Sequence, residues 1–288
     1  MTSPDKFHTH TIRQRRADGS IKSRELHIPS EETRDKHREM LGLLYNLDIP
    51  MPYATGGLPG KNVLEHNVRP HQHSNSFYAL DITDAYRAVE VGKLLDVVDA
   101  VAPEVSREQI KDFINEWGTA EDTPGLPMGA PCSPYLFNLY CSHMDTAIGQ
   151  VAEERDLVYT RYLDDITVSS VAPLEGSARR LVRDAILDTG MEINHGKTKR
   201  HTLGPHAVTI TGVSIYPDRR LQPSPALMDT ARKTFEEIAS IQAAGGMLFD
   251  SDIGRLHGWH GVLRQLGATE TPTTRALTRL YDRICERL

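Results

Sequence analysis

Short β-branched runs along this chain alternate apolar and polar residues with a period of two, while longer stretches repeat near 3.6. The switches between the two periods set the expected elements. After a polar, basic leader, Ser30 reads as a helix cap with Glu31 and Glu32 in the first turn. That helix runs to about Asn46 on Met40, Leu41, Leu43 and Leu44, and Pro50, Pro52, Gly56, Gly57, Pro59 and Gly60 then mark a loop. Phe77 to Ile82 reads as a buried strand closed by Asp81, followed by helices near Val91–Val101 and Ser106–Trp117. Ser133-Pro134 predicts a helix start with a capping hydroxyl, and Leu136, Leu139, Tyr140, His143, Met144, Ala147, Ile148 and Val151 continue it as one helix. Leu157–Tyr162 and Ile166–Ser169 predict the two strands of a hairpin packed over that helix.

A helix from Leu174 to Thr189 should end at Gly190, and Val208 to Ile215 reads as one strand. From Pro225 onward the pattern is helical: Ala226–Ala243 closed by Gly245, Asp252–Leu266 closed by Gly267, and Thr273–Leu288 opened by Thr271-Pro272.

The 288 residues suffice for one large domain or a few subdomains with a real core. Met1 to Arg16 has no apolar signal region, and no stretch nears the roughly eighteen apolar residues of a membrane span, so a cytoplasmic protein without a membrane partner is expected. Cys132, Cys141 and Cys285 are odd in number and lack a Cys-x-x-Cys spacing, which argues against a disulfide framework or zinc knuckle. The net charge of -6 argues against a nucleic-acid partner until it is divided along the chain. Residues 1–38 hold 9 Lys and Arg against 6 Asp and Glu, residues 39–196 hold 11 against 24, and residues 197–288 hold 13 against 9. Two basic arms able to hold a phosphate backbone flank an acidic centre able to concentrate metal.

Asp164 and Asp165 stand at the tip of the predicted hairpin, where adjacent carboxylates repel unless a cation binds them. Taken alone the pair is an ordinary turn. Asp81, at the end of its own strand, supplies a third hard oxygen donor, and three carboxylates can hold two magnesium ions. Such a pair of ions would activate a hydroxyl and neutralise a leaving pyrophosphate, the two needs of nucleotidyl transfer.

Three motifs then occur in the order seen in reverse transcriptases: Asp81-x-x-x-x-Tyr86, Leu126-Pro127-Met128-Gly129-Ala130-Pro131-Cys132-Ser133-Pro134, and Tyr162-Leu163-Asp164-Asp165. The chain resembles the bacterial branch of that family, retron reverse transcriptases in particular. Asn67-Val68-x-x-His71 is similar to the retron Asn-Ala-x-x-His element, Ile210-Thr211-Gly212 to the Val-Thr-Gly element, and Ile193-Asn194-x-x-Lys197-Thr198 to the segment after the catalytic hairpin. Lys22, Arg24 and Pro29 resemble part of the fingers.

The resemblance implies an α+β right-hand polymerase with an antiparallel palm sheet and a helical thumb. Residues 1–75 would form the N-terminal fingers, 76–216 the palm with inserted fingers helices, and 217–288 the thumb. It implies that Asp81, Asp164 and Asp165 bind two Mg2+ ions, which Mn2+ can replace, and that Lys197 protonates the leaving pyrophosphate. Lys22 and Arg24 would meet the triphosphate of a dNTP. Tyr86 would exclude a ribose 2'-hydroxyl, while Met128 and Gly129 would border the nascent base pair. Asn67, His71, Ile210, Thr211 and Gly212 would contact RNA or primer. The implied partners are a structured noncoding RNA serving as template and primer, an RNA–DNA product and an accessory effector in antiphage defence, with the oligomeric state unspecified.

Met128 departs from the resemblance, since most members carry Gln there, and Leu163 stands where Ala is common. Three rivals follow: a protein-primed or unprimed defence reverse transcriptase, an RNA-dependent RNA polymerase, and a non-catalytic RNA-binding scaffold that restrains an effector. The span beyond Ile210-Thr211-Gly212 leaves room for a thumb, so no ribonuclease H, endonuclease or maturase domain is expected. His8-x-His10, His71-x-His73 and His257-x-x-His260 read as ordinary histidines without a completed zinc set. Gly56 to Gly60 lacks the ending of a phosphate loop, and Trp259 and Tyr281 read as thumb core.

Overall fold

The computed structural model describes residues 6–15, 21–120, 123–266 and 272–288. The polar leader contains a long hairpin: β1 (Phe7–Arg15) runs antiparallel to β2 (Ile21–Pro29), with His8 opposite Ile28, His10 opposite Leu26 and Ile12 opposite Arg24. Interspersed His, Thr and Arg lower the local hydropathy and hide the period of two that Ile12, Leu26 and Ile28 keep.

Helix α1 (Glu31–Asn46) starts where its capping signals place it, with Ser30 Oγ accepting from Thr33 N at 3.3 Å. Its buried stripe is Thr33, His37, Met40 and Leu44, the spacing of one helical face. A π-helical turn at Val63–Val68 and a 3-10 turn at Arg69–His71 precede β3 (Ser76–Asp81). Then come α2 (Val91–Val101), α3 (Glu104–Glu116), α4 (Ser133–Tyr140), α5 (Ser142–Glu154), β4 (Val158–Tyr162), β5 (Asp165–Ser170) and α6 (Gly176–Leu187). The remainder is β6 (Lys199–Thr202), β7 (Val208–Ile210), β8 (Val213–Ile215), β9 (Leu221–Pro223), α7 (Pro225–Ala243), α8 (Asp250–Gln265) and α9 (Pro272–Cys285).

Contacts divide the chain into two compact units. The first comprises Met1–Gly60, Tyr78–Val168 and Leu174–Lys199; the second comprises Lys61–Phe77, Ser169–Pro173 and Arg200–Leu288. One four-stranded sheet has the order β4-β5-β3-β6. In the first unit the core joins Leu44 of α1, Tyr78 and Leu80 of β3, Leu94 of α2, Ile110 and Ile114 of α3, Leu136 of α4, Ile148 of α5, Ile166 of β5 and Val182 of α6. Each such side chain, fully withdrawn from water, contributes about 1.5–3 kcal/mol before conformational entropy is set against it.

Two expectations are corrected in this unit. The single helix from Ser133 to Val151 is broken at Cys141, because α4 is buried all round while α5 buries one stripe, so apolar spacing runs unbroken across the joint. Ser133 does not cap it either. Its hydroxyl donates to Pro127 O at 2.7 Å, and Cys132 holds the cap position.

In the second unit the single strand expected over Val208–Ile215 is a hairpin. Thr211 and Gly212 form its turn at φ 42° and 82°, and Ile210 faces Val213. An uninterrupted β-branched run flanks the Thr-Gly pair, so hydrophobicity alone does not reveal the reversal. Strand β9 completes this three-stranded antiparallel sheet. Helices α7, α8 and α9 share a core of Ala231, Phe235, Ile238, Leu256, Leu263, Leu277 and Ile284, with Trp259 and Tyr281 packed against it. Ser224 caps α7 ahead of Pro225, and Gly245 at φ 73° follows its end. Gly267 and Thr271 lie outside the described residues. Among the described residues no helix is long and apolar enough to cross a membrane. Cys132 and Cys141 are buried free thiols, and Cys285 is half-buried.

Candidate active site

Strands β4 and β5 are joined by Leu163 and Asp164 alone, and Leu163 adopts φ 54°, a conformation that a two-residue hairpin turn requires and that favours glycine. The acidic pair is therefore split: Asp164 lies in the turn and Asp165 opens β5. Ile82 N donates to Asp164 O at 3.1 Å, which stitches the turn to the end of β3, where Asp81 is 5% exposed. Asn194 N donates to Asp81 O at 2.8 Å, so the segment after α6 reaches the same place. Lys197 Nζ completes it by donating to Asp81 Oδ1.

The charge of Asp81 acts on both acids of the turn. Asp164 is raised above the usual carboxylate range, first by burial and then by the charge of Asp81, against the opposing pull of Lys197 and Arg24. Asp165 is pushed up to about 6, first by the low-dielectric protein around it and then by Asp164 and Asp81. Its side of the turn is exposed, so solvent screens part of that repulsion. Among the described residues no three His, Cys, Asp or Glu side chains close on one point with ligating spacing. The donor set still suits a hard divalent cation, because uncompensated carboxylate charge on three hard oxygen donors is what such an ion relieves.

The nucleotide-side candidates belong to the same unit. Leu126 N donates to Tyr86 O at 2.8 Å, and His27 N donates to Met128 O at 2.7 Å, so this loop is tied to the residue after β3's turn and to β2. Gly129 sits at φ 114°, and a Cβ there would lie 3.0 Å from His27 O. Glycine meets both demands. Tyr86 rests against Phe137 with ring centroids 5.5 Å apart, and its hydroxyl is raised by burial first and by Asp164 next. Arg24 is exposed on β2, close enough for its charge to act on Asp164; Lys22 lies on the same strand, its side chain outside the described part of the structure.

The remaining candidates lie in the second unit. Asn67 and His71 are 1% and 0% exposed, and their side chains pack inside this unit. Asn67 Nδ2 donates to Thr211 Oγ1 at 2.9 Å, bracing the turn that Thr211 and Gly212 make, while Ile210 is buried beside it. His71 Nδ1 lies 2.6 Å from Ser169 Oγ, which donates onward to Ser74 Oγ at 2.7 Å, and burial lowers the imidazole to about 3, so it stays neutral.

Sequence reasoning passed over a charged pair beneath the catalytic-type turn, Arg161 of β4 with Asp145 of α5. Two signals pointed there: an arginine within an apolar strand, and an aspartate beside the buried Met144 on the apolar stripe of α5.

Residues 20–215 match the family model described as reverse transcriptase (RNA-dependent DNA polymerase). The chain is similar to the retron Ec86 reverse transcriptase of Escherichia coli, 26% identical over 198 residues that cover 68% of this chain and 59% of that protein. It is also similar to the retron Ec83 reverse transcriptase of Escherichia coli, 25% identical over 243 residues that cover 81% of this chain and 75% of that protein. The match thus spans less than two thirds of the Ec86 protein. Telomerase from Candida tropicalis in complex with a TWJ fragment of telomeric RNA superposes with a TM-score of 0.58 at 12% identity, covering 100% of this chain and 56% of that one. The likeness shows a shared fold, the α+β right hand of these polymerases.

Proposed function

We propose that this chain, which belongs to the reverse transcriptase family, is a retron-type RNA-directed DNA polymerase that copies a structured noncoding RNA into DNA. The observation that carries this reading is the stitching of the Asp164-Asp165 turn to the end of the strand that carries Asp81, with Lys197 bonded to Asp81 and Tyr86 O held by Leu126 N of the loop that continues to Met128 and Gly129.

Enzymes of this family depend on divalent metal. Here Asp81, Asp164 and Asp165 would hold two Mg2+ ions, or Mn2+ in their place, supplying a lowered pKa for the primer hydroxyl and charge neutralisation for the leaving pyrophosphate. Lys197 holds Asp81 before substrate arrives and delivers a proton to the pyrophosphate oxygen as it leaves. Arg24 and Lys22 orient the triphosphate. Tyr86, fixed against Phe137, leaves no room for a ribose 2'-hydroxyl, which selects dNTPs. Gly129 lets backbone approach the base pair, and Met128 offers an apolar side chain where a polar one is usual.

The fingers are assigned to residues 1–75, the palm with inserted fingers helices to 76–216 and the thumb to 217–288. The RNA serves as both template and primer, the RNA–DNA product stays associated, and an accessory effector completes an antiphage system. The braced Thr211-Gly212 turn is the part of the Asn67 to Gly212 set that is free to meet RNA. A side-by-side assay tests the polymerase class: on a primed RNA template the protein extends with dNTPs in preference to NTPs, and Tyr86→Ala narrows that preference. Equal use of NTPs by the unaltered protein would instead mark an RNA-dependent RNA polymerase.

A further inference from the structure

Beneath the turn that carries Asp164 lies a guanidinium with no exposure to solvent. Arg161 is 0% exposed, and a charge so placed is stable only when its donors are matched. They are matched here. Nε and Nη2 form a two-pronged contact with Asp145 Oδ1 and Oδ2 at 2.8 and 2.6 Å, and Nη1 donates to Asn138 Oδ1 at 2.9 Å. Nη1 also donates to Leu163 O at 3.1 Å, which is the carbonyl of the one residue in this turn held at positive φ.

Each partner is fixed in turn. Tyr159 Oη donates to Asp145 Oδ1 at 2.6 Å, and Asn138 Nδ2 donates to Gly56 O at 2.8 Å. The loop that includes Gly56 runs beside β4, where Thr55 N and Oγ1 both donate to Arg161 O, at 2.8 and 3.0 Å. Arg161 also lies over the Phe137 ring at 5.6 Å, the ring on which Tyr86 leans. A left-handed leucine is unfavourable on its own, so the turn keeps its shape because something beneath it pulls on the peptide.

We infer that Arg161, clamped by Asp145 and Asn138, is a positioning residue that holds the Leu163 carbonyl and so fixes where Asp164 and Asp165 stand for metal and substrate. The inference deepens the polymerase reading and rests on it. Arg161 touches neither substrate nor metal. A lysine in its place keeps the charge for Asp145 but lacks the fork that reaches Asn138 and Leu163 together.

The test compares the full-length protein with Arg161→Lys, with Arg161→Lys/Leu163→Gly, and with Ile114→Ala, a core truncation in the same unit remote from the turn. Mn2+ binding is read from the EPR signal of the free ion without nucleic acid, alongside thermal melting and the Mg2+ concentration for half-maximal primer extension. Arg161→Lys weakens Mn2+ binding and raises the Mg2+ requirement by about tenfold or more, the scale of lost outer-shell support. Leu163→Gly, which suits the positive φ unaided, restores about threefold or more of that loss. Ile114→Ala lowers the melting temperature and moves neither metal readout. Should Arg161→Lys fail to fold, Asn138→Ala removes one anchor of the same clamp without disturbing charge, and a weakened Mn2+ affinity is expected there. Wild-type Mn2+ affinity in a folded Arg161→Lys or Asn138→Ala protein, or an equal shift in Ile114→Ala, overturns the inference. A wild type that binds Mn2+ yet makes no DNA defeats the polymerase reading, and the Mn2+ comparison still judges Arg161.

Discussion

Lys197 donates its ammonium to Asp81, the most buried of the three candidate metal-binding acids, although it comes from a segment more than a hundred residues away in sequence. The Lys197 side chain is itself 45% exposed, so it can release the carboxylate and turn toward a leaving group. Lys197→Ala should lower the single-turnover rate of nucleotide addition by about a hundredfold or more while leaving the dNTP KM within a few-fold. Lys197→Arg, which keeps the charge but gives up its proton far less readily, should retain the Asp81 contact and lose most of the rate. A rate unchanged in both variants would leave Lys197 as an ion-pair partner only.

Met128 is held through its backbone, since His27 N donates to its carbonyl at 2.7 Å. Exchanging the side chain therefore leaves the loop in place. Met128→Gln should change stability by no more than about 0.5 kcal/mol. It should lower the dNTP KM by an amount worth one neutral hydrogen bond, about 0.5–1.5 kcal/mol, readable as a several-fold change in steady-state extension.

How much of this was legible in the chain follows from what local residues decide. The apolar runs ending at Asp81 and bracketing Asp164-Asp165 announced strands and their acids, because those elements are buried and bounded by polar breaks. The β1–β2 hairpin was hidden by its exposure, where neither face needs to be apolar. The Thr211 reversal was hidden for the opposite reason, as β-branched residues continue on both sides of it. The burial of Asn67 and His71 belongs to long-range packing that no local pattern records. Arg161 and Asp145 illustrate the same gap: each looks like a stray charge until the fold sets one over the other.

The Thr211 turn gives a test of that bracing. Threonine at φ 42° is unfavourable, and Asn67 compensates through its bond to Thr211 Oγ1. Asn67→Ala should destabilise the protein by about 1–3 kcal/mol in urea unfolding, the range for leaving a buried polar group unmatched. Asn67→Ala with Thr211→Gly should recover part of that loss, whereas additive losses would show that the two residues are not coupled.

Acid should weaken the fold through two buried imidazoles. Burial lowers His37 to about 4 and His71 to about 3, below the 6.5 of an unfolded histidine. The unfolded chain therefore binds more protons between those values, and the stability that both contribute is complete above pH 6.5 and lost as pH falls toward 4 and then 3. Asp165, raised to about 6, acts in the opposite direction as pH falls through 6. Urea midpoints compared at pH 7 and pH 4.5 in an Asp164→Asn/Asp165→Asn background remove the opposing contribution of Asp165, and the midpoint should fall at the lower pH.

The central claim is that Asp164 and Asp165 carry metal for DNA synthesis, and the most direct measurement is extension of a primed RNA template by the purified full-length protein beside its Asp164→Asn/Asp165→Asn variant. The account predicts Mg2+-dependent DNA from the unaltered protein and none from the variant. The variant's melting temperature should be equal or higher, because removing two crowded charges relieves their repulsion. DNA of equal yield from both proteins would contradict it.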